Sequence, residues 1–146
     1  MTPNDVIEFA MSNPASWMAT SINNQPHVRE MLLWFVDETG FYYHTASCKQ
    51  LEKQISENPK MEIAFISSGP HQGESRMLRV EGTVEIVEDS ALTNRLIQER
   101  PWVQGLKANM PEGTELVIFR LVNAQAHFWD MTTNGNESKQ PRIAIA

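Results

Sequence analysis

The sequence predicts a mainly β protein of the α+β class, whose antiparallel strands curl into a barrel flanked by helices. Most predicted strands follow one another through short turns, and few helices are available for the crossovers that a parallel sheet requires. The chain has 146 residues and shows no internal repeat or linker, so we expect residues 1–146 to form a single domain. These observations favour a barrel over a doubly wound sheet.

The first element is a predicted helix. Thr2 is suited to cap it, Pro3 suits its first position, and apolar residues between 6 and 11 form one face before Asn13-Pro14 ends it. Aromatic and β-branched residues bounded by turn residues predict six strands, at residues 16–23, 27–36, 41–45, 61–67, 77–87 and 115–131. Further helices are predicted at residues 48–57 and 90–98, with short helical turns over 100–110.

Local signals add detail to these elements. Ser47 is the predicted N-cap of the helix that begins at Cys48. Gly82 interrupts the most regularly alternating strand, which indicates a bulge or a sharp bend. Residues 68–73 are rich in turn formers and predict an exposed loop, and the polar tail from Thr132 is expected to be mobile.

Composition narrows the classes of function. The net charge of −6 and the pI near 5.2 argue against a general nucleic-acid or membrane-surface role, but they allow a local basic pocket. Cys48 is the single cysteine, so no internal disulfide is possible, and with scattered histidines it does not form a recognisable metal motif. The N-terminus has neither a basic start nor an apolar signal core, so we expect a cytoplasmic location.

The segment at residues 43–49 is the most informative part of the chain. A predicted strand ends in hydroxyl residues and a helix begins with Lys49 in its first turn, so hydroxyls, free amides and a cation converge on a potential anion site. The helix dipole disfavours a cation at this end, and a bound phosphate would remove that penalty. A capped helix with a solvent-exposed lysine is the alternative, and the pattern alone leaves both open.

Three other residues have two interpretations each. Arg29, in the preceding strand, is placed to join the lysine, or it is an exposed strand arginine paired with Glu30 or Glu52. Trp129 could stack on a planar ring or belong to the core. Arg79 faces away from the predicted core side, where it could line a groove or pair across strands.

Several segments carry a resemblance to a known family. Residues 26–33 are similar to a Pro-x-x-Arg-Met-Val-Leu-Leu strand, and residues 40–51 to a Gly-Phe-x-Phe-Tyr-Thr-Asn-x-x-Ser-Arg-Lys segment. Residues 79–82 match an Arg-Ile/Val-x-Gly strand. In this order and spacing, they resemble the pyridoxamine 5′-phosphate oxidase-like, FMN-binding split-barrel superfamily over about Met18 to Trp129.

The resemblance implies a six-stranded antiparallel split β-barrel, FMN as the cofactor, and a homodimer with FMN at its interface. Arg29 and Lys49 would hold the FMN phosphate with help from Thr45 and Ser47, and the backbone from Arg29 to Leu32 would line the flavin ring. The cofactor-binding residues predicted in this way are Arg29, Glu30, Met31, Leu32, His44, Thr45, Ser47, Lys49, Met77 and Trp129. A half-open barrel also exposes sheet edge and apolar surface unless a second copy covers them.

For four further residues, the resemblance implies a position near the flavin on weaker grounds. Trp129 matches a Phe-Trp position that approaches FMN from the partner subunit, and Met77 stands where the family has a flavin-contacting glutamine. His44 and Arg79 are further candidates near the flavin. No side chain is identified as catalytic.

Departures from the family pattern narrow the implied activity. Trp34 replaces a lysine that serves substrate phosphate, and residues 134–137 lack the Arg-x-His of the oxidases, so vitamin B6 oxidation is not expected. The chain looks more like the short general-stress-protein or flavin-reductase-like members. The implied activity is an FMN-dependent oxidoreductase that passes hydride from a reduced nicotinamide or another donor to a small acceptor. A non-catalytic flavin-binding sensor or store stays open, as does the same fold with a deazaflavin or haem.

Overall fold

A computed structural model describes residues 1–68 and 74–146 as a mainly antiparallel sheet with flanking helices. The helices are α1 (Pro3–Ser12), α2 (Gln50–Glu57), α3 (Ser90–Glu99) and α4 (Trp102–Lys107), and a 3₁₀ segment spans Met131–Lys139. The strands are β1 (Ala15–Ile22), β2 (Gln25–Leu32), β3 (Phe35–Asp37), β4 (Gly40–Ala46), β5 (Lys60–Ser67), β6 (Arg76–Val87), β7 (Leu116–Asp130) and β8 (Ile143–Ile145). The predicted loop at residues 68–73 lies, apart from Ser68, outside the described residues.

The sheet has eight strands rather than the predicted six. Its order is β2-β1-β5-β6-β7-β4-β3, and β8 pairs with β7. The strand predicted at residues 27–36 is divided into β2 and β3 because the chain changes neighbours at Leu33. The amide of Leu33 donates to the carbonyl of Pro14 at 2.8 Å, whereas that of Trp34 donates to Tyr42 at 3.0 Å. The eighth strand comes from the C-terminal tail.

The two faces of the sheet bury two apolar clusters. The larger cluster contains residues of α1, α2 and most strands, and the smaller one contains Trp34 together with residues of α3, α4, β4 and β7. Strand β4 contributes to both, because Phe41 and Tyr43 belong to the larger cluster and Tyr42 to the smaller one. Side chains of β4 therefore reach two different environments in alternation.

Local signals define most element ends. Thr2 caps α1 in a reciprocal pair with Asp5, as predicted. The register of β6 shifts between Glu81 and Thr83, which confirms the bulge at Gly82, where a Cβ atom would lie 2.7 Å from a backbone oxygen. The prediction that Ser47 caps α2 is wrong, because the helix begins only at Gln50. The Ser47 hydroxyl instead accepts a hydrogen bond from the amide of Glu115, just before β7.

The C-terminal tail, expected to be mobile, forms 3₁₀ turns and then β8. Ile143 and Ile145 contribute to the larger core, and β8 pairs with β7 from Ala124 to Ala126. The tail therefore covers part of a strand edge that would otherwise be unpaired. No helix in residues 1–68 or 74–146 is both long and apolar enough to cross a bilayer.

Candidate functional site

A groove of about 540 Å³ lies between β2, the end of β4 and the start of α2. Five predicted site residues line it: Arg29, Glu30, Met31, Thr45 and Lys49. The remaining lining residues are His27, Val28, Gln50, Leu51 and Gln54. The structure thus brings together residues that are far apart in sequence, and we call this site the groove.

Arg29 is half-buried and points inward from β2. Its guanidinium donates to the carbonyl of Met18 at 3.3 Å, to Thr20 Oγ1 at 2.9 Å and to Gln54 Oε1 at 2.5 Å. All three acceptors are neutral. Burial lowers the pKa of Arg29 from its usual value, because part of the guanidinium is removed from water and no carboxylate offsets that loss.

Lys49 is exposed and occupies the N-cap position of α2, one residue before the first turn in which the sequence placed it. Across the described ranges, neither Lys49 nor Arg29 forms a salt bridge. Glu52, a possible partner, instead accepts a hydrogen bond from Ser56 at 3.2 Å. The N-terminus of α2 also has no side-chain cap, so its first amides are available to an anion.

Thr45 supplies a buried oxygen that needs a partner. Its Oγ1 atom is the one buried side-chain polar atom, among the residues the structure describes, that makes no hydrogen bond. An unsatisfied buried hydroxyl costs about 1–3 kcal/mol, so such atoms commonly mark a place where a ligand or water binds. Thr45 lies in the groove with both unpaired cations.

These groups fit a phosphate monoester. Two uncompensated cations, a hydroxyl without a partner and uncapped helix amides are the donors that such an anion requires. The groove volume is also within the range of cofactor sites, which extends over roughly 300–1,000 Å³. The geometry therefore favours the anion-site interpretation of residues 43–49 over a merely exposed lysine.

His44 is not in the groove, because it points to the opposite face of β4 from Thr45. Its Nε2 atom lies 2.8 Å from a guanidinium nitrogen of Arg100, which also donates to the carbonyl of Leu33 at 2.7 Å. A guanidinium can only donate, so Nε2 accepts and the proton resides on Nδ1. Burial, together with the charges of Arg100 and Lys49, lowers the pKa of His44 to about 4.

Ser47 and Leu32, two further predicted site residues, do not line the groove either. Ser47 is joined to Glu115 twice, since its amide donates to the Glu115 carbonyl and its hydroxyl accepts from the Glu115 amide, each at 2.9 Å. Ser47 thereby fixes the turn after β4 against the chain that enters β7. Leu32 lies exposed on the side of β2 away from the core.

Met77 and Trp129 lie together, away from the groove. They are paired across β6 and β7, and their neighbours Leu78 and Phe128 point into the core, so both face the other side of the sheet. That side, which we call the outer face, also carries exposed apolar residues of β1, β2 and β5: Trp17, Val28, Leu32 and Ile66. Apolar side chains are therefore exposed on three neighbouring strands of this face, with the exposed Glu30 opposite Trp17.

Arg79 lies on the outer face in an ion-pair network. It contacts Glu62 at 2.5 Å and Glu137 at 2.7 Å, and Glu137 also contacts His127 at 3.0 Å. The network joins β5, β6, β7 and the 3₁₀ segment. Arg79 therefore pairs across strands, which was one of its two interpretations, and it does not line the groove.

Sequence reasoning missed Thr20 and Gln54, which hold Arg29, and Arg100, which holds His44 outside the groove. Gln54 carried a usable signal, because it lies three residues after Leu51 and next to Ile55, on the face of α2 predicted to be buried. A polar residue on that stripe requires a buried partner. Nothing local in the sequence pairs Arg100 with β4.

The structure is an antiparallel sheet with a groove at its edge that holds two cations and an unsatisfied hydroxyl. The chain belongs to the pyridoxamine 5′-phosphate oxidase family, whose sequence profile matches residues 4–130. This match and the solved structures below confirm the resemblance to the split-barrel superfamily.

Among curated relatives, the chain is 30% identical over 94 residues to the pyridoxine-5′-phosphate oxidase of Dictyostelium discoideum. The match covers 64% of this chain and 38% of the relative, so the chain spans well under half the length of that oxidase.

Solved structures share the fold at low sequence identity. A NimC/NimA family protein from Clostridium acetobutylicum has a TM-score of 0.70 at 20% identity, covering 95% of this chain and 90% of its own. General stress protein 26 from Bacillus anthracis has a TM-score of 0.65 at 22% identity, covering 88% and 94%.

The fold hosts different ligands in other proteins. A FAD-binding protein from Mesorhizobium loti has a TM-score of 0.60 at 14% identity, covering 86% of this chain and 94% of its own. HutZ, a haem storage protein from Vibrio cholerae, has a TM-score of 0.62 at 14% identity, covering 83% and 89%. Fold alone therefore does not select the ligand.

Proposed function

We propose that the protein binds FMN in the groove and acts as an FMN-dependent oxidoreductase. The observation that carries the proposal is the set of uncompensated phosphate donors, Arg29, Lys49 and the partnerless Thr45 hydroxyl, in one groove. Family membership supports a phosphorylated ligand, and the FAD-binding neighbour supports a flavin.

In this proposal, Arg29 and Lys49 neutralise the phosphate charge, and the Thr45 hydroxyl donates the hydrogen bond that it lacks within the protein. The first amides of α2 complete the anion site. The part of β2 from Arg29 to Met31, which lines the groove, would line the flavin. When bound, FMN would accept hydride from a reduced nicotinamide or another donor and pass it to a small acceptor.

A homodimer is part of the proposal. The outer face exposes Trp17, Val28 and Ile66, and Val28 alone retains 67% of its accessible surface. Several exposed large apolar side chains on neighbouring strands are typical of an interaction site. A second copy on this face would bury it and would bring Met77 and Trp129 against a neighbouring subunit.

Vitamin B6 oxidation is not part of the proposal. Trp34, at the position of the family's phosphate-binding lysine, is buried in the smaller core, and its indole N–H donates to Glu99 at 3.0 Å. Trp34 therefore offers no cation to a substrate phosphate. The substrate would have to be recognised by other means.

A non-catalytic flavin-binding protein, such as a sensor or store, is a second candidate. The groove combines two cations with a partnerless hydroxyl, which are groups suited to an anion, and His44 is turned to the opposite face of β4 and kept neutral. His27 and Glu30 also line the groove, and a purely binding role requires neither of them to transfer a proton. A flavin that supplies all the chemistry is compatible with either candidate.

The visible spectrum of the purified protein and a fluorescence titration with FMN test the proposal. We expect flavin absorption bands, and quenching of FMN fluorescence on titration of the apoprotein. A colourless protein that does not quench FMN would refute the cofactor, and a Soret band would indicate haem instead. Oxidation of NADH or NADPH with artificial acceptors then separates the enzyme from the sensor, and light scattering tests the dimer.

A further inference from the structure

Gln54 is a buried polar side chain in direct contact with the groove. It is 8% exposed, and its Oε1 atom accepts from Arg29 at 2.5 Å and from Thr20 Oγ1 at 2.7 Å. Thr20 is itself only 3% exposed and also accepts from Arg29. The three side chains form a closed network that joins β1, β2 and α2.

The network orients Arg29 without neutralising it. Other arginines of the described chain, namely Arg79, Arg95 and Arg120, lie within 3 Å of a carboxylate oxygen. Arg29 has only neutral oxygens around it, although burial lowers its pKa and so favours a counter-ion. The position that a carboxylate would occupy is taken by the amide of Gln54.

A second feature of the groove points to the same ligand. The Thr45 hydroxyl is buried without a partner, and it lines the groove with Arg29 and Lys49. An uncompensated guanidinium and an unsatisfied hydroxyl both gain from the same occupant, an anion with several acceptor oxygens. A neutral ligand would give the Thr45 hydroxyl a partner but would leave the charge of Arg29 without a counter-ion.

We propose that Gln54 is a positioning residue that fixes the Arg29 guanidinium in the groove while leaving its charge free for a phosphate monoester. The identity of that monoester as FMN rests on the proposed function, whereas the anion site itself does not. Glutamate at this position would have nearly the same shape but would neutralise Arg29 internally and repel the incoming phosphate. The amide is therefore the feature that makes the site selective for anions.

The test compares three variants with the wild type. Gln54→Glu keeps both hydrogen bonds and adds a charge, whereas Gln54→Met removes the acceptor without adding a charge. Gln98→Glu, on the exposed surface of α3, is the matched control because it makes the same change far from the groove. Thermal unfolding measured with inorganic phosphate, against chloride at equal ionic strength, reports on the anion site without any flavin.

We expect phosphate to raise the melting temperature of the wild type and of Gln98→Glu, and not that of Gln54→Glu. Titrations with FMN and with riboflavin, which lacks the phosphate, give the second measurement. Gln54→Glu should weaken FMN binding at least about tenfold and riboflavin binding by less than about threefold, because only the phosphate is repelled. Gln54→Met should weaken FMN binding by a smaller factor, since the charge of Arg29 stays free.

The outcomes separate this inference from the proposed function. Equal phosphate stabilisation of the wild type and Gln54→Glu, or equal FMN affinities, would overturn the role of Gln54 and leave FMN binding intact. Stabilisation of the wild type by phosphate without any FMN binding would overturn the proposed function alone. If Gln54→Glu does not fold, an unchanged FMN affinity in Gln54→Met would overturn the role of Gln54.

Discussion

Arg29 and Arg79 are both half-buried arginines in the middle of strands, yet their surroundings are opposite. Arg29 faces the groove and is held by neutral oxygens, whereas Arg79 lies on the outer face between the carboxylates of Glu62 and Glu137. Burial lowers the pKa of Arg29. Burial also acts on Arg79, but hydrogen bonds to Glu137 and Glu62 outweigh it and raise the pKa of Arg79.

The difference separates a binding arginine from a structural one. The charge of Arg79 is used within the protein, where it attaches the 3₁₀ segment to the sheet through Glu137. The charge of Arg29 is not used within the protein, so it is available to a ligand. If this distinction is correct, the same substitution at the two positions should change different properties.

Removing the free arginine should have the largest effect. We expect Arg29→Met to weaken FMN binding by about 100-fold, since a charge-assisted contact of about 2–3 kcal/mol is lost. The stability of the apoprotein should change little, because the loss of three hydrogen bonds is offset by the removal of a partly buried charge that has no counter-ion. Fluorescence titration measures the affinity, and thermal unfolding measures the stability. Arg79→Met is the matched control for FMN affinity, and comparable losses of affinity in both variants would contradict the distinction.

Removing the paired arginine should instead destabilise the fold. We expect Arg79→Met to cost about 1–2 kcal/mol of unfolding free energy, a modest value because the pairs are partly exposed to solvent. The loss should be concentrated at Met131–Lys139, because Glu137 in this segment would lose its contact with Arg79. Glu137 would keep only its contact with His127 of β7. Faster hydrogen exchange or proteolysis in this segment would show the effect, and an unchanged tail would argue against it.

The Thr45 hydroxyl should affect stability and binding in opposite directions. Thr45→Val removes a buried oxygen without a partner, so we expect the apoprotein to gain about 1 kcal/mol while FMN affinity falls about tenfold. Ser47→Ala is the control two residues away. It removes an acceptor from the Glu115 amide and should cost about 1 kcal/mol with little change in affinity. Loss of stability in Thr45→Val would mean that its hydroxyl has a partner within the protein.

The sequence predicted the elements whose signals are local. The Thr2 cap and the bulge at Gly82 each depend on residues within one turn or one strand. The division of residues 27–36 into two strands was not predicted, because apolar residues continue through Leu33 and Trp34. Only the change of hydrogen-bonding neighbour, from Pro14 to Tyr42, ends one strand and begins the next.

The candidate site was predicted in part for the same reason. Arg29, Thr45 and Lys49 were found through a strand-to-helix pattern and a family resemblance, and the structure places them in one groove. His44 could not be assigned to a face, because β4 is buried on both sides and its apolar residues do not alternate. The neutral partners of Arg29 come from β1 and α2, and no local pattern pairs them.

Arg100 sharpens the comparison, because like Arg29 it forms no salt bridge in the described chain, yet it lies outside the groove. Its acceptors are the carbonyl of Leu33 and the imidazole of His44, so it fixes the junction of β2 and β3 to β4. An arginine that is held by neutral acceptors can therefore also have a structural role, provided that no open groove lies next to it. This role requires His44 to stay uncharged.

The pH dependence of stability tests that requirement. Burial, Arg100 and Lys49 lower the pKa of His44 to about 4 in the folded protein, against about 6.5 in an unfolded chain. Between these values the unfolded state binds the additional proton, so stability is full above about pH 6.5 and falls as the pH drops towards 4. With allowance for partial solvent exposure, we expect the wild type to lose about 1 kcal/mol more than His44→Gln over this window. Denaturant unfolding at a series of pH values measures the difference, with His27→Gln as the control. Parallel curves for the wild type and His44→Gln would show that Arg100 does not depend on a neutral imidazole.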